Sequence, residues 1–376
     1  MVFWKLFALP LCVRWFLHAA GSRRDAAKQP VKRLCAAHPM HATAAALLCG
    51  IRNGDTGAPV QLAGDASVRE LAPVPFGALR RAWRCDGALR RACRGAPREA
   101  LLEQCGGGSR GAARRGNVFF ETRRGRRFVL KQETKSNADQ LRRIAEDYKR
   151  YVVEHPDSLL PRFVGVFEAV VAGETTYWLV MNNVFTVPRG AVVEARYDLK
   201  GSTSGRAAKH PTSTQKDLDA LRDKASLVSR RRDVNALVAT VDADSAFLEK
   251  HGLLDYSLLV GVVKRRPSLI PAGAAIRDRI FARRAPRRGV RVLPVAKTWT
   301  PCDALRRRTF LVVGLVDILQ PFDYLKKLEY ACRGALRGFG AISAVPPATY
   351  RKRLVDFVQN LFLEDDADPK LDPATV

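Results

Sequence analysis

The strongest periodic signal in the chain follows residue 137. Leu141, Ile144, Ala145, Tyr148 and Val152 recur at i, i+3, i+4, i+7 and i+11 among charged positions. That spacing predicts an amphipathic helix, with Asn137 as its N-cap. Before it, NVFFET and RRFVLKQ flank Arg123-Arg124-Gly125-Arg126, which predicts a β-hairpin with Gly in the turn. After it, RFVGVFEAVV and TTYWLVMNNVF predict two further strands. Residues 39–51 predict a short buried helix ending near Gly50. Residues 76–105 alternate apolar and Arg positions at helical spacing, predicting helices with one strongly positive face. Gly106-Gly107-Gly108-Ser109-Arg110-Gly111 breaks the chain between these regions.

Beyond Asn183 the texture changes. Residues 187–235 are polar and read as loops, and a helix is expected over Ala236–Lys250, stopping near Gly252. LLDYSLLVGVV is a compact apolar segment holding one acid, Asp255. FLVVGLVDILQ repeats that arrangement with Asp317. Between them, residues 264–309 are basic and rich in Pro and Ala, an irregular insertion. A last helix is expected from about Pro347, with Tyr350, Leu354, Phe357, Val358 and Leu361 inward and Arg351, Lys352 and Arg353 outward. No internal repeats are visible.

With 47% hydrophobic residues the 376-residue chain can bury a sizeable core, which excludes global disorder. Its length suits one large domain or two lobes sharing a cleft. Lys and Arg number 64 against 37 Asp and Glu, a net charge of +27 that favours an anionic partner: nucleic acid, an anionic membrane surface or a phosphorylated substrate. No apolar run of spanning length supports a membrane helix. The eight cysteines include no C-x-x-C pair and read as reduced thiols of a cytosolic protein. His38 and His41 have H-x-x-H spacing without a second ligand pair, so no metal site is inferred there. Residues 1–30 are apolar but broken by Lys5, Pro10 and Arg14. They stay unassigned between a targeting sequence, an interfacial segment and an artefactual start.

Three features carry candidate chemistry. Lys131 closes a strand just after a Gly-rich segment, as a Lys that holds nucleotide phosphates does. Asp255 and Asp317 are single acids in apolar surroundings, suited to orienting a hydroxyl and ligating Mg²⁺. YDLKGSTSGR places Asp198, Lys200, Gly201, Ser202, Gly205 and Arg206 in one short stretch, where Gly permits close backbone approach to phosphate. For each residue alone, a solvent-facing Lys, a structural ion pair or an ordinary turn is the plainer alternative.

Taken together, YDLKGSTSGR, MNNVF, SLLPRFVGVFEA, LLDYSLLVGVV, VDILQPFDYLKKLE and ISAVPPATYRKRLVDFV resemble the phosphatidylinositol phosphate kinases, in family order over about residues 31–362. YDLKGS with DYSLLVG is the most specific part. The resemblance implies an α+β, two-lobed, protein-kinase-like fold, although the H-R-D and D-F-G strings are absent. An antiparallel sheet is expected in an N-lobe over 31–183, and a mixed α/β C-lobe over 184–362, with a tail at 363–376. It implies ATP and Mg²⁺ as cofactors. Lys131 would hold the phosphates with Gly107, Gly108 and Ser109, and Met181, Asn182 and Asn183 would lie against adenine. Asp317 would be the metal ligand, Asp255 would lie at the reacting hydroxyl, and Lys200 would neutralise the phosphoryl, supported by Asp198. An acid on the helix after Lys131 is expected as its partner, with Asp139 the nearest match.

The recognition loop of that family would span about 320–347. Glu329, Lys326 and Lys327 in KKLE resemble enzymes that phosphorylate phosphatidylinositol 4-phosphate at the 5-hydroxyl, with Arg333 and Arg337 as further phosphate contacts. The implied partner is that lipid in anionic membranes, on the cytosolic face and at the plasma membrane. A homodimer is compatible, and no specific nucleic acid is implied. The alternatives are another phosphatidylinositol monophosphate kinase, acting on the 5-phosphate or 3-phosphate lipid, and a catalytically weak membrane scaffold of the same fold.

Overall fold

The computed structural model describes residues 32–33, 41–53, 58–62, 65–93, 101–104, 118–121, 128–185, 191–265, 291–294, 309–323 and 345–362, apart from a few single positions between 212 and 230. Eight strands form the larger sheet: β1 (Lys32–Arg33), β2 (Val60–Gln61), β3 (Ser67–Leu71), β4 (Leu101–Gln104), β5 (Val118–Glu121), β6 (Phe128–Glu133), β7 (Phe163–Val171) and β8 (Glu174–Asn182). They pair in the order β1-β4-β5-β6-β8-β7-β3-β2. Every one of these pairings is antiparallel. The anticipated hairpin is β5–β6, with Phe119 opposite Lys131.

Strand alternation gives this sheet two faces with different duties. Phe128, Leu130, Trp178 and Val180 point to one side, where Ala46, Leu47 and Ile51 of helix α1 (His41–Asn53) cover them. A Cβ added at Gly50 would come within 2.4 Å of Val68 Cβ, so only Gly lets α1 lie this close to β3. Leu179, Met181 and Phe163 point to the other side. There helix α2 (Pro73–Ala82) and, beyond α3 (Asp86–Ala92), helix α4 (Lys135–Glu154) close the core. The predicted face of α4 is buried at each of its five positions. Its N-cap is Thr134, whose hydroxyl accepts from the Asn137 amide at 3.2 Å, so Asn137 is one turn too late to be the cap expected from sequence. Residues 76–105 are not helical throughout, because β4 occupies 101–104.

Further along come β9 (Ala191–Leu199), α5 (Asp217–Arg222), α6 (Arg231–Lys250), β10 (Leu253–Leu254), β11 (Ser257–Arg265), β12 (Arg291–Pro294), β13 (Thr309–Val316), β14 (Gln320–Pro321) and α7 (Pro347–Phe362). A four-stranded sheet has the order β12-β13-β11-β9, and β10 pairs with β14 in a separate ribbon. The region 187–235 is therefore more regular than its polar composition suggests. It holds a nine-residue strand, a short helix and the first turn of α6. Within the basic insertion the four residues of β12 are described and pair with β13.

One core runs from α4 and the larger sheet through α6 to the smaller sheet and α7. The loop after α4 stitches these parts together. Asp244 of α6 is fully buried and accepts from the Tyr151 hydroxyl at 2.9 Å and the Leu159 amide at 2.6 Å, while the Leu159 carbonyl accepts from Leu315 N at 2.9 Å. Helix α7 buries Tyr350, Leu354, Val358 and Leu361 as expected, with Phe357 only partly buried. Arg351 is not simply outward. It reaches Asp242 at 2.8 Å and Glu249 at 3.2 Å, pinning α7 to α6.

Candidate active site

Lys131 sits on an inner strand of the larger sheet, on the same face as Leu179 directly opposite it. Chain alternation thus puts a cation beside an apolar floor of Leu179, Met181 and Phe163. The opposing wall comes from two breaks in strand pairing. The chain leaves ribbon strand β10 at Asp255 to enter β11, and it leaves β13 at Asp317 to enter ribbon strand β14. Both acids adopt left-handed backbone conformations, φ 63° and 59°. For residues with a Cβ such strain costs energy and persists where the surroundings demand it, often at functional sites. The two breaks lie side by side because β11 and β13 are antiparallel, with Ser257 opposite Val316.

The result is a cleft of about 190 Å³ lined by Lys131, Glu133, Lys200, Asp255 and Asp317 over the apolar floor. Lys131 Nζ lies 2.7 Å from Asp317 Oδ1 and 2.5 Å from Glu133 Oε1. Lys200 Nζ lies 2.6 Å from Asp255 Oδ1. Burial pushes the Lys131 ammonium down, but the two carboxylates outweigh it and raise the pKa above its ordinary value. Partial desolvation pushes Asp317 up, yet Lys131, with a smaller contribution from Lys200, holds it below the usual carboxylate range. Asp317 keeps 54% of its side chain exposed to the cleft, against 10% for Lys131 and Glu133. It is an ionised, open oxygen donor, the type of group that suits a hard divalent cation.

Behind Lys200 lies a hub invisible in the motif itself. Asp217, the first residue of α5, is fully buried and accepts from the amides of Lys200 at 2.9 Å and Gly201 at 2.7 Å, and from Arg206 Nε at 2.6 Å. Arg206 also meets Asp198 at 3.1 Å. Gly201 has φ 70°, and a Cβ there would approach the Arg353 carbonyl of α7 to 2.9 Å. The turn that presents Lys200 is therefore clamped from below by an acid and pressed against a helix. Tyr350 donates a hydrogen bond to the carbonyl of Tyr256, next to Asp255, so α7 also steadies the acid's loop.

Of the residues singled out from sequence, Lys131, Lys200, Asp255, Asp317 and Met181 converge on this cleft. Asp198 stands one step back, on Arg206. Asn182 is turned away and accepts from the Arg162 amide at 2.7 Å, while Asn183 accepts from Phe185 N at 2.9 Å. Neither of these lines the cleft, in contrast to the adenine contact expected of them. Asp139 is not the acid found on Lys131. It meets Lys135 at 2.6 Å and Arg142 at 3.5 Å. Gly107, Gly108, Ser109, Lys326, Lys327, Glu329, Arg333 and Arg337 lie outside the described residues. Glu133 and Asp217 were missed. Glu133 carried a usable signal, since position i+2 on a strand shares the face of Lys131.

A family model described as phosphatidylinositol-4-phosphate 5-kinase matches residues 102–284 and 296–361, more than half of the chain. Phosphatidylinositol 4-phosphate 5-kinase 1 of Arabidopsis thaliana is 29% identical over 355 residues, covering 79% of this chain and 45% of the relative. Human phosphatidylinositol 4-phosphate 5-kinase type-1 alpha is 28% identical over 324 residues, covering 79% of this chain and 56% of the relative. Rat phosphatidylinositol 5-phosphate 4-kinase type-2 beta is also 28% identical, over 281 residues, covering 64% of this chain and 66% of the relative. The chain spans about half the length of the first two. Among the described residues no helix is long and apolar enough to cross a membrane.

Proposed function

The chain belongs to the phosphatidylinositol-4-phosphate 5-kinase family, and from that premise we propose that it is an ATP-dependent lipid kinase acting on a phosphatidylinositol monophosphate at membrane surfaces. The finer reading is transfer of the γ-phosphate to the 5-hydroxyl of phosphatidylinositol 4-phosphate. The observation that carries the kinase reading is the meeting of two lysine–carboxylate pairs, Lys131 with Asp317 and Lys200 with Asp255, in one cleft over an apolar floor.

Each side chain has a task set by its place. Lys131 holds the nucleotide phosphates as a point charge, and Leu179, Met181 and Phe163 offer an apolar surface to the base. Asp317, open and ionised, is the residue that fits Mg²⁺. When bound, that ion neutralises phosphate charge. Asp255 takes the hydrogen bond of the attacking hydroxyl and fixes its direction. Lys200 touches Asp255 and stands where charge develops on the transferred phosphoryl. A cleft prearranged in this way acts mainly by position and electrostatics, the two effects phosphoryl transfer needs most. The +27 net charge suits an anionic bilayer, where each basic side chain near the surface contributes about 1 kcal/mol.

The 5-hydroxyl preference rests on Glu329 in KKLE. Relatives named as 4-phosphate 5-kinases and as a 5-phosphate 4-kinase match at nearly equal identity, so overall similarity does not choose between them. The test is transfer of labelled phosphate from ATP to liposomes carrying one phosphatidylinositol monophosphate at a time. Labelling of the 4-phosphate lipid at the 5-position is expected. Labelling of only the 5-phosphate or 3-phosphate lipid overturns the reading of Glu329 and keeps the kinase. A folded, ATP-binding chain that labels none of them overturns the kinase reading.

A further inference from the structure

We propose that Glu133, on the same strand as Lys131, is the positioning residue that aims the phosphate-binding lysine, in place of an acid borne by the following helix. This rests on the kinase reading only in taking Lys131 to contact the phosphates of ATP. The lysine is held between two acids that differ in kind. Asp317 lies 54% exposed at the cleft and uses one oxygen, Oδ1, on Lys131. Glu133 is only 10% exposed and commits both oxygens to protein: Oε1 to Lys131 Nζ at 2.5 Å and Oε2 to Asn137 Nδ2 at 2.7 Å.

Strand geometry makes the pair local. Residues two apart on a strand share a face about 7 Å apart along the chain, within reach of a Lys and a Glu side chain. Asn137, in the first turn of α4, then ties the acid to the helix, so the helix still sets the lysine's position but through an amide rather than a charge. Asp139, the helix acid nearest in sequence, is engaged on the outer side by Lys135 and Arg142. A helix-borne acid can swing away with its helix. A strand-borne one moves with the lysine it holds.

The test compares affinities of the purified full chain for ATP and for adenosine, with magnesium and no lipid, in the wild type and in Glu133→Gln, Lys131→Ala and the double variant. Adenosine lacks phosphates and reports the apolar floor alone. Glu133→Gln should weaken ATP about tenfold, leave adenosine unchanged, and add little to the loss already caused by Lys131→Ala, since coupled residues are not additive. Asn137→Ala, which removes only the tether, should give a smaller loss of the same ATP-specific kind and serves if Glu133→Gln fails to fold. Unchanged ATP affinity in the folded variants, equal losses for ATP and adenosine, or full additivity with Lys131→Ala overturns the assignment. ATP binding that behaves as expected without any lipid transfer would support Glu133 and overturn the lipid-kinase reading, so the two stand or fall separately.

Discussion

Asp317 and Asp217 are both acids in contact with a cation, and almost everything else about them differs. Asp217 is fully buried, sits at the start of a helix, and is satisfied by two backbone amides and a guanidinium. Asp317 is half open to a cleft, has a left-handed backbone, and meets the lysine through one oxygen. A closed, saturated acid fixes chain geometry, whereas an open, strained one keeps capacity for a ligand. The half of this site proposed to be catalytic and the half that is structural are thus told apart by satisfaction rather than by residue type.

The largest effects should separate the two acids cleanly. Asp317→Asn keeps shape and removes charge, so phosphate transfer should fall by a factor on the order of 10³, with the thermal midpoint nearly unchanged. Asp217→Ala should do the reverse in kind, because it leaves the buried Arg206 with Asp198 as its remaining acid and strips the Lys200 and Gly201 amides of their acceptor. A loss of roughly 3–5 kcal/mol is expected by urea unfolding, and activity should fall only as the folded fraction does and as the Lys200 turn loosens. Equal thermal losses in both variants would erase the distinction.

Asp244 sharpens the comparison, being closed and hydrogen-bonded with no cation in direct contact among its described partners. Burial pushes its carboxyl above the ordinary range, against the hydrogen bonds from Ser158, Leu159 and Tyr151. An acid whose folded pKa is raised binds its proton more tightly folded than unfolded. Stability should then decline as pH rises from the ordinary carboxylate value through the raised one. Asp244→Asn has no such proton to lose. Unfolding free energies measured across that window should show the wild type losing ground to the variant as pH increases, and parallel curves would refute the sign.

What could be read in the sequence followed the same division. The face of α4 and the inward side of α7 were legible because each buries one regular stripe against a core, and β7 and β8 because they are apolar runs buried on both faces. Strand β9 was not, because it lies at the edge of its sheet and Glu194, Arg196 and Asp198 give it a polar texture. Lys131, Lys200, Asp255 and Asp317 were legible through motif and apolar context. Asp217 was not, since its link to the Lys200–Gly201 turn is made by the fold across 16 or 17 residues. The resemblance put Asn182 and Asn183 against adenine, but the Asn182 side chain accepts from the Arg162 amide ahead of β7 and that of Asn183 from the Phe185 amide just beyond β8.

The smallest expected effect tests the same principle from the solvent side. Asp139 has the chemistry of a lysine partner and the helix position that would suit one, yet it pairs with an exposed lysine one turn away. Lys135 and Arg142 pull its carboxyl below the ordinary value, Lys135 chiefly through a direct hydrogen bond. Exposed pairs of this kind are screened by water and salt and contribute little. Asp139→Asn should therefore leave the thermal midpoint, ATP affinity and transfer rate unchanged within measurement, while the neighbouring strand acid Glu133 is sensitive in ATP affinity. If Asp139→Asn weakened ATP as Glu133→Gln does, the helix acid would be the lysine's working partner after all, and closure around a side chain would no longer predict which acid matters.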